Sequence, residues 1–140
     1  MEERYRSVVC VDIVLKQGDK ILLMKRQNTG NDDGYFELPG GHLEKKEDIF
    51  NAMLRELEEE LCIKLERKDI KLVHILHHYT GDRINFIFEC NKDNLNPVIG
   101  EPNKCSEINW FSINHLPKNT TEKVKKIIEN VINNKEYDTL

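Results

Sequence analysis

The chain has 140 residues, 39% of them hydrophobic and 33% charged, with a formal net charge of -4. That length predicts one domain over residues 1–140, able to bury roughly 68–70% of the surface its unfolded chain exposes, so neither a disulfide nor a structural metal is needed to hold it. The acidic balance argues against nucleic-acid binding, which uses a basic face, but is compatible with polyphosphates bridged by metal ions.

Residues 8–15 (VVCVDIVL) are rich in β-branched side chains and predict a strand. QGDK then turns the chain into a second strand at 21–24 (ILLM), giving a hairpin. Residues 27–34 (QNTGNDDG) form a polar loop, and 35–38 a short strand entering the Pro39-Gly40-Gly41 turn. A helix is expected over 46–61, because Ile49, Phe50, Met53, Leu54, Leu57 and Leu61 recur at i, i+3 and i+4 and make one buried stripe. Two antiparallel strands follow at 73–79 and 84–90, around Thr80-Gly81-Asp82. Residues 91–104 read as loop and 108–113 as another strand. Thr120 or Thr121 caps a final helix with Val124, Ile127, Ile128, Val131 and Ile132 on its inner face and KVKK (123–126) on its wet side. The order of strands, helix, strands, helix predicts an α/β (α+β) sandwich with a mixed sheet, not a doubly wound one.

Cys10, Cys62, Cys90 and Cys105 form no CxxC pair, and the N-terminal MEERYRSVVC has no apolar run after its charges. Reduced thiols and a cytoplasmic location are expected. No apolar segment approaches the ~18 residues a membrane helix requires, so no membrane association is expected.

The run RELEEE, residues 55–60, puts four glutamates and an arginine on a turn and a half of the expected helix. Like charges at that spacing cost stability. On a helical wheel Glu56, Glu59 and Glu60 share a sector at the edge of the apolar stripe, whereas Glu58 points away. Carboxylates crowded at a partly dry edge raise one another's pKa unless cations intervene. Mg²⁺ suits such a place, since it takes oxygen ligands from few carboxylates and keeps positions for substrate phosphates. Arg55 can grip a carboxylate at two points, as lysine cannot. The plain alternative is a solvated helix face. Against it stand the position beside the stripe and the preceding LPGG, whose glycines let bare backbone approach a ligand.

The pattern Gly41-x5-Glu47-x7-Arg55-Glu56-Leu57-x-Glu59-Glu60-x-Cys62-Ile63 resembles the Nudix box, G-x5-E-x7-R-E-U-x-E-E-x-G-U with U aliphatic, and every charged position matches. FELPGGHLE resembles the strand and loop leading into that box, and EINWFSINHLP the family's later Trp-containing strand, so the resemblance covers nearly the whole chain. It implies a Nudix-type α/β/α sandwich and hydrolysis of a nucleoside diphosphate linked to another group, with Mg²⁺ or Mn²⁺. Metal ligation is implied for Glu56, Glu59, Glu60 and the Gly40 carbonyl, with Glu101 first and Glu107 second as a ligand from a later loop. Catalytic roles are implied for Glu56 as base, Glu59, Arg55 as orienter of the carboxylates, and Glu47 as support. Substrate contact is implied at Gly41, His42, Leu43 and Trp110, although Trp110 reads equally as core. Phe111, on the opposite side of the same strand, reads as core.

The GGHLE and EPNKCSEINWF stretches look like nucleoside-triphosphate pyrophosphohydrolases of MutT type, acting on ordinary, modified or oxidised nucleotides. ADP-ribose-cleaving members often carry a proline past the box where this chain has none. Tyr79 stands in that zone as a substrate-binding candidate, which keeps dinucleoside polyphosphates open, with nucleotide sugars beside them. A non-catalytic nucleotide-sensing module is the reading from another class, and a homodimer stays open. No serine or cysteine nucleophile with a paired histidine is evident, which favours direct attack by water. His74, His77 and His78 lack a Cys or acid to complete a four-ligand zinc set, and His77 or His78 is placed near substrate instead. Cys62 stands where the box has the glycine of a left-handed helix end, and Lys46 where a glycine is common before Glu47, so altered or strained geometry is expected at the helix ends.

Overall fold

The computed structural model describes residues 3–140. In chain order the elements are β1 (Val8–Gln17), β2 (Lys20–Arg26), β3 (Phe36–Glu37), β4 (Gly40–His42), α1 (Ile49–Leu61), β5 (Lys71–His78), β6 (Arg83–Asn91), β7 (Cys105–Ser112), α2 (Glu122–Ile132) and β8 (Tyr137–Thr139), with a 3-10 turn at Arg67–Asp69. The sheet runs β3-β2-β1-β6-β5-β8, with β4 added on β1 and β7 on β2. It is mixed, as expected: β1–β6 and β5–β8 are parallel and the other pairs antiparallel.

β1 and β2 carry unbroken apolar runs because both faces of the sheet are covered. Val11, Ile13, Leu15 and Leu22 pack under α1 with Met53, Leu57, Leu61 and Phe88. The alternating neighbours Val14, Ile21 and Leu23 pack with Leu76 and Ile87 under Val124, Ile127 and Val131 of α2. Successive side chains therefore enter two different cores. The hairpin between β1 and β2 is paired only at its base, Lys16↔Ile21 and Gln17↔Lys20. Beyond it the strands splay, β1 turning to β4 through Cys10, Val11 and Asp12, and β2 to β7 along its whole length.

α1 starts at Ile49 and not at the expected 46, because Asp48 caps it by accepting from the Asn51 N–H at 2.8 Å. Lys46, expected inside the helix, lies before it with φ of 63°. At the other end Cys62 is left-handed at φ 56°, its N–H bonds the Glu58 carbonyl at 3.1 Å, and the Ile63 N–H reaches back to Leu57 at 3.3 Å. The left-handed Cys62, with its N–H on the carbonyl four residues back, makes this an αL-type helix end. Cys62, at a box glycine, and Lys46, where a glycine is common before Glu47, thus both occupy backbone that glycine adopts without a Cβ penalty. α2 begins as expected, with Thr121 accepting from the Val124 N–H, but Ile132 is 44% exposed and does not join the inner face.

The loop between β6 and β7 closes the end of α1. The N–H groups of Val98 and Gly100 donate to the carbonyls of Leu61 at 2.9 Å and Glu60 at 2.8 Å, which the helix leaves unpaired. A Cβ at Gly100 would run into the Glu59 carbonyl, so only glycine allows this approach. Cys10, Cys90 and Cys105 are buried, Cys62 is exposed, and all are free. Among the described residues no helix is long and apolar enough to cross a membrane.

Candidate active site

The glutamate-bearing side of α1 is organised by Arg55. Its Nε donates to Glu47 Oε2 at 2.8 Å and Nη2 to Glu47 Oε1 at 3.1 Å, a two-point grip on one carboxylate. Nη1 reaches Glu56 Oε1 at 2.9 Å and Glu59 Oε2 at 3.3 Å, and Nη2 also binds the His42 carbonyl at 3.0 Å. β4 faces the helix here. The Gly40 N–H donates to Glu60 Oε1 at 2.9 Å, and a Cβ on Gly41 would collide with the Glu56 carboxylate. Gly41 is therefore required by close approach of the backbone to the carboxylates of α1.

Glu56 and Glu60 are partly buried, Glu58 is exposed, and Glu59 is more exposed than the wheel implied, with 49% of its side chain accessible. Burial pushes the Glu56 carboxyl up; Arg55 opposes this, and the Glu59 and Glu101 carboxylates add to it. Glu60 is pushed up to about 9, by burial first and then by Glu56, with the Gly40 N–H working the other way and Glu101 adding to the rise. Glu47 is held low, chiefly by its Arg55 hydrogen bonds. Among the described residues no three acidic, His or Cys side chains converge into a ready-made cage. The reason is visible in the contacts, since Arg55 and the Gly40 N–H each hold a carboxylate oxygen. The donor set nonetheless suits a hard divalent cation: Glu56, Glu59, Glu60 and Glu101 all border one cavity, and Glu56 and Glu60 are destabilised as anions by burial and by their neighbours.

That cavity measures about 500 Å³. Of the residues singled out from sequence it is lined by Gly40, Gly41, His42, Arg55, Glu56, Glu59, Glu60 and Glu101. Glu47 stands behind Arg55 and does not border it. The second late-loop candidate, Glu107, is exposed on β7 and off the cavity wall. Leu43 and Trp110 pack against the core under α1, with Trp110 opposite Leu22, so neither meets the cavity. Phe111 enters the other core, edge-on to Phe36 at 5.0 Å. Tyr79 is 60% exposed at the β5–β6 turn, beside His77 at 6.4 Å, and away from the cavity as well.

The three histidines diverge. His74 is buried with Nδ1 2.6 Å from the Lys135 carbonyl, anchoring the C-terminal segment, and His77 binds the Tyr137 hydroxyl at 3.0 Å. His78 reaches the cavity wall through Asn85.

Sequence reasoning missed part of the wall, namely Asp12, Glu37, Arg83, Asn85 and Lys123. Lys123 was read as solvated, but the start of α2 turns it inward. Asp12 did carry a signal, being the one charged residue in VVCVDIVL. Burial pushes the Asp12 carboxyl up. Glu37 is pushed up to about 7 by burial first, against Lys123, with Asp32 and Asp12 adding to the rise.

Comparison with known proteins gives a consistent family. The sequence model of the NUDIX domain matches residues 4–131. An ADP-ribose pyrophosphatase of Methanocaldococcus jannaschii is 31% identical over 112 residues, covering 79% of this chain; the chain spans 64% of that protein's length. The crystal structure of a MutT NUDIX hydrolase from Burkholderia pseudomallei superposes with a TM-score of 0.77 at 28% identity, covering 91% of this chain and 98% of that one. A bifunctional NMN adenylyltransferase/ADP ribose pyrophosphatase from Francisella tularensis, complexed with AMP and a Mn ion, shares the fold at a TM-score of 0.69 and 24% identity, covering 94% of this chain and 43% of that one.

Proposed function

This chain belongs to the NUDIX family, and on that premise we propose that it is a hydrolase of nucleotides, cleaving the phosphoric anhydride of nucleoside triphosphates, modified or oxidised ones included, to a nucleoside monophosphate and pyrophosphate. The observation that carries this reading is the convergence of Gly41, Arg55, Glu56, Glu59, Glu60 and Glu101 on one cavity. The similarity to a MutT hydrolase over nearly the full length of both chains supports it.

Glu56, Glu59, Glu60, Glu101 and the Gly40 carbonyl would hold the divalent cation, Mg²⁺ with Mn²⁺ as a substitute. When bound, that cation supplies charge neutralisation on the anhydride and Lewis acidity toward water. The protein's own groups do the rest. Arg55 fixes the orientation of Glu47, Glu56 and Glu59. It occupies Oε1 of Glu56 and leaves Oε2 to take a proton from the attacking water. As water's oxygen bonds to the α- or β-phosphorus, the bridging P–O bond of the α–β anhydride breaks, and the leaving group, pyrophosphate in the first case and nucleoside monophosphate in the second, carries away the electron pair. Lys25, Arg26 and Lys104 on the cavity wall attract the anionic chain.

A second reading, cleavage of ADP-ribose, is favoured by the name and identity of the archaeal relative. One substrate panel with Mg²⁺ separates the two: nucleoside triphosphates, their oxidised forms, ADP-ribose and dinucleoside polyphosphates, with products resolved by chromatography. Pyrophosphate from a triphosphate, reduced at least about 10²-fold in Glu56→Gln, is expected. Turnover confined to ADP-ribose replaces the substrate. Turnover of nothing, or undiminished turnover in Glu56→Gln, overturns the mechanism.

A further inference from the structure

One end of the cavity is not used by the hydrolytic groups. There Asp12 of β1, Glu37 of β3, Arg83 and Asn85 of β6 and Lys123 of α2 share the wall. Gly40 divides this end from the other: its N–H holds Glu60, while it pairs with Asp12 in the β1–β4 register, so close that a Cβ at Gly40 would strike Asp12 Oδ1.

The Asp12 carboxylate is held in place. Asn85, only 1% exposed, donates from Nδ2 to Asp12 Oδ2 at 2.7 Å, and its Oδ1 lies 3.0 Å from His78 Nε2. An amide oxygen accepts, so His78 donates to it, and this fixes which end of Asn85 meets Asp12. Asp12 is thereby oriented through one oxygen, and Oδ1 keeps its capacity to accept. Glu37 lies within electrostatic reach of Asp12, with Lys123 acting on both. Two carboxylates with nearby cations form a wall that accepts hydrogen bonds without carrying a large net charge. Such a wall suits a neutral group rich in donors, not a phosphate.

We propose that Asp12 and Glu37 select the non-phosphate half of the substrate by accepting from two adjacent donors, either the N–H edge of a nucleobase or the vicinal hydroxyls of a ribose. The proposal rests on the nucleotide-hydrolase reading of the same cavity. A volume of about 500 Å³ has room for such a group beside a phosphate chain. Polar groups placed to meet donors reject analogues that lack them, because the buried acceptors are then left unpaired.

Uncharged nucleosides test this without metal or turnover. Guanosine, inosine, adenosine and their 2′,3′-dideoxy forms are titrated at pH 8, above the value of about 7 to which burial pushes Glu37, into the wild type, Asp12→Asn and Glu37→Gln, with binding followed by ligand-observed NMR. At least one nucleoside is expected to bind the wild type, and its Kd to rise about tenfold or more in each variant, the loss of a charge-assisted hydrogen bond. Loss of binding in the dideoxy form assigns the ribose; loss in inosine where guanosine binds assigns the base edge. Thermal unfolding verifies that the variants are folded, and Glu37→Gln decides the matter alone should Asp12→Asn fail to fold. An unchanged Kd in the folded variants overturns the inference. So does the absence of nucleoside binding, whether or not the wild type hydrolyses nucleotides. Nucleoside binding that depends on Asp12 and Glu37, without any turnover, would leave the inference standing and remove the hydrolase mechanism.

Discussion

Arg55 grips Glu47 at two points while also touching Glu56, Glu59 and the His42 carbonyl. A lysine there keeps the charge but offers one compact head, so it cannot hold the carboxylates in the same relation. Arg55→Lys should lower hydrolysis about 10–100-fold, as loss of an outer-shell partner does, and cost about 1–3 kcal/mol in denaturant unfolding. Glu60 makes a different kind of prediction. Its carboxyl ordinarily titrates near 4.5 and in the fold is pushed up to about 9. Between those values the folded protein holds a proton the unfolded chain has lost, so metal-free stability is highest below the lower value and declines as pH rises toward the upper one. Glu60→Gln should flatten that decline, by an amount on the order of a few kcal/mol, in unfolding midpoints measured from pH 5 to pH 9. The crowding of Glu56, Glu59 and Glu60 was legible because helical periodicity alone places them together. Asp12, Arg83, Asn85 and Lys123 were not, since two strands and a second helix must assemble before they share a wall. Trp110 was ambiguous for a related reason: a strand's alternation says which residues oppose one another, but not which side faces a cavity.

At the scale of elements, α1 shows why the family motif has glycines at its flanks. Lys46 and Cys62 occupy left-handed backbone at φ 63° and 56°. A side chain in that region costs roughly 1–2 kcal/mol, partly offset by the greater freedom a glycine loses on folding. Cys62→Gly and Lys46→Gly should therefore each stabilise the protein by about 0.5–1 kcal/mol, read as a rise of roughly 2–4 °C in Tm. An unchanged or lower Tm in both would contradict the strain at these positions. The start of α1 was misplaced because the apolar stripe marks the buried face and not the end; Asp48 alone sets the boundary. The long strands were legible from their β-branched runs. β4 and β8, of three residues each, were missed, because a strand that short carries no periodic signal and exists only through pairing with β1 and β5.

At the scale of the whole molecule, the site depends on the sheet opening. β1 and β2 pair only at their hairpin base, and the splay lets β4 enter beside β1, bringing Gly40 and Gly41 against the carboxylates of α1. The β6–β7 loop, docked on the last carbonyls of the same helix, delivers Glu101 to that place. β1, the β4–α1 segment and the β6–β7 loop thus surround one acidic pocket, whose charge calls for a divalent cation. The most direct test is a Mn²⁺ titration at pH 7.5, read by the loss of the free-ion paramagnetic resonance signal, on the wild type and on the Glu56→Gln/Glu60→Gln double variant. The predicted result is saturable binding by the wild type and affinity weakened at least about tenfold in a variant that unfolds at a similar or higher temperature. Equal affinity in the two proteins, or no binding by either, would contradict the assignment of these carboxylates as the cation site.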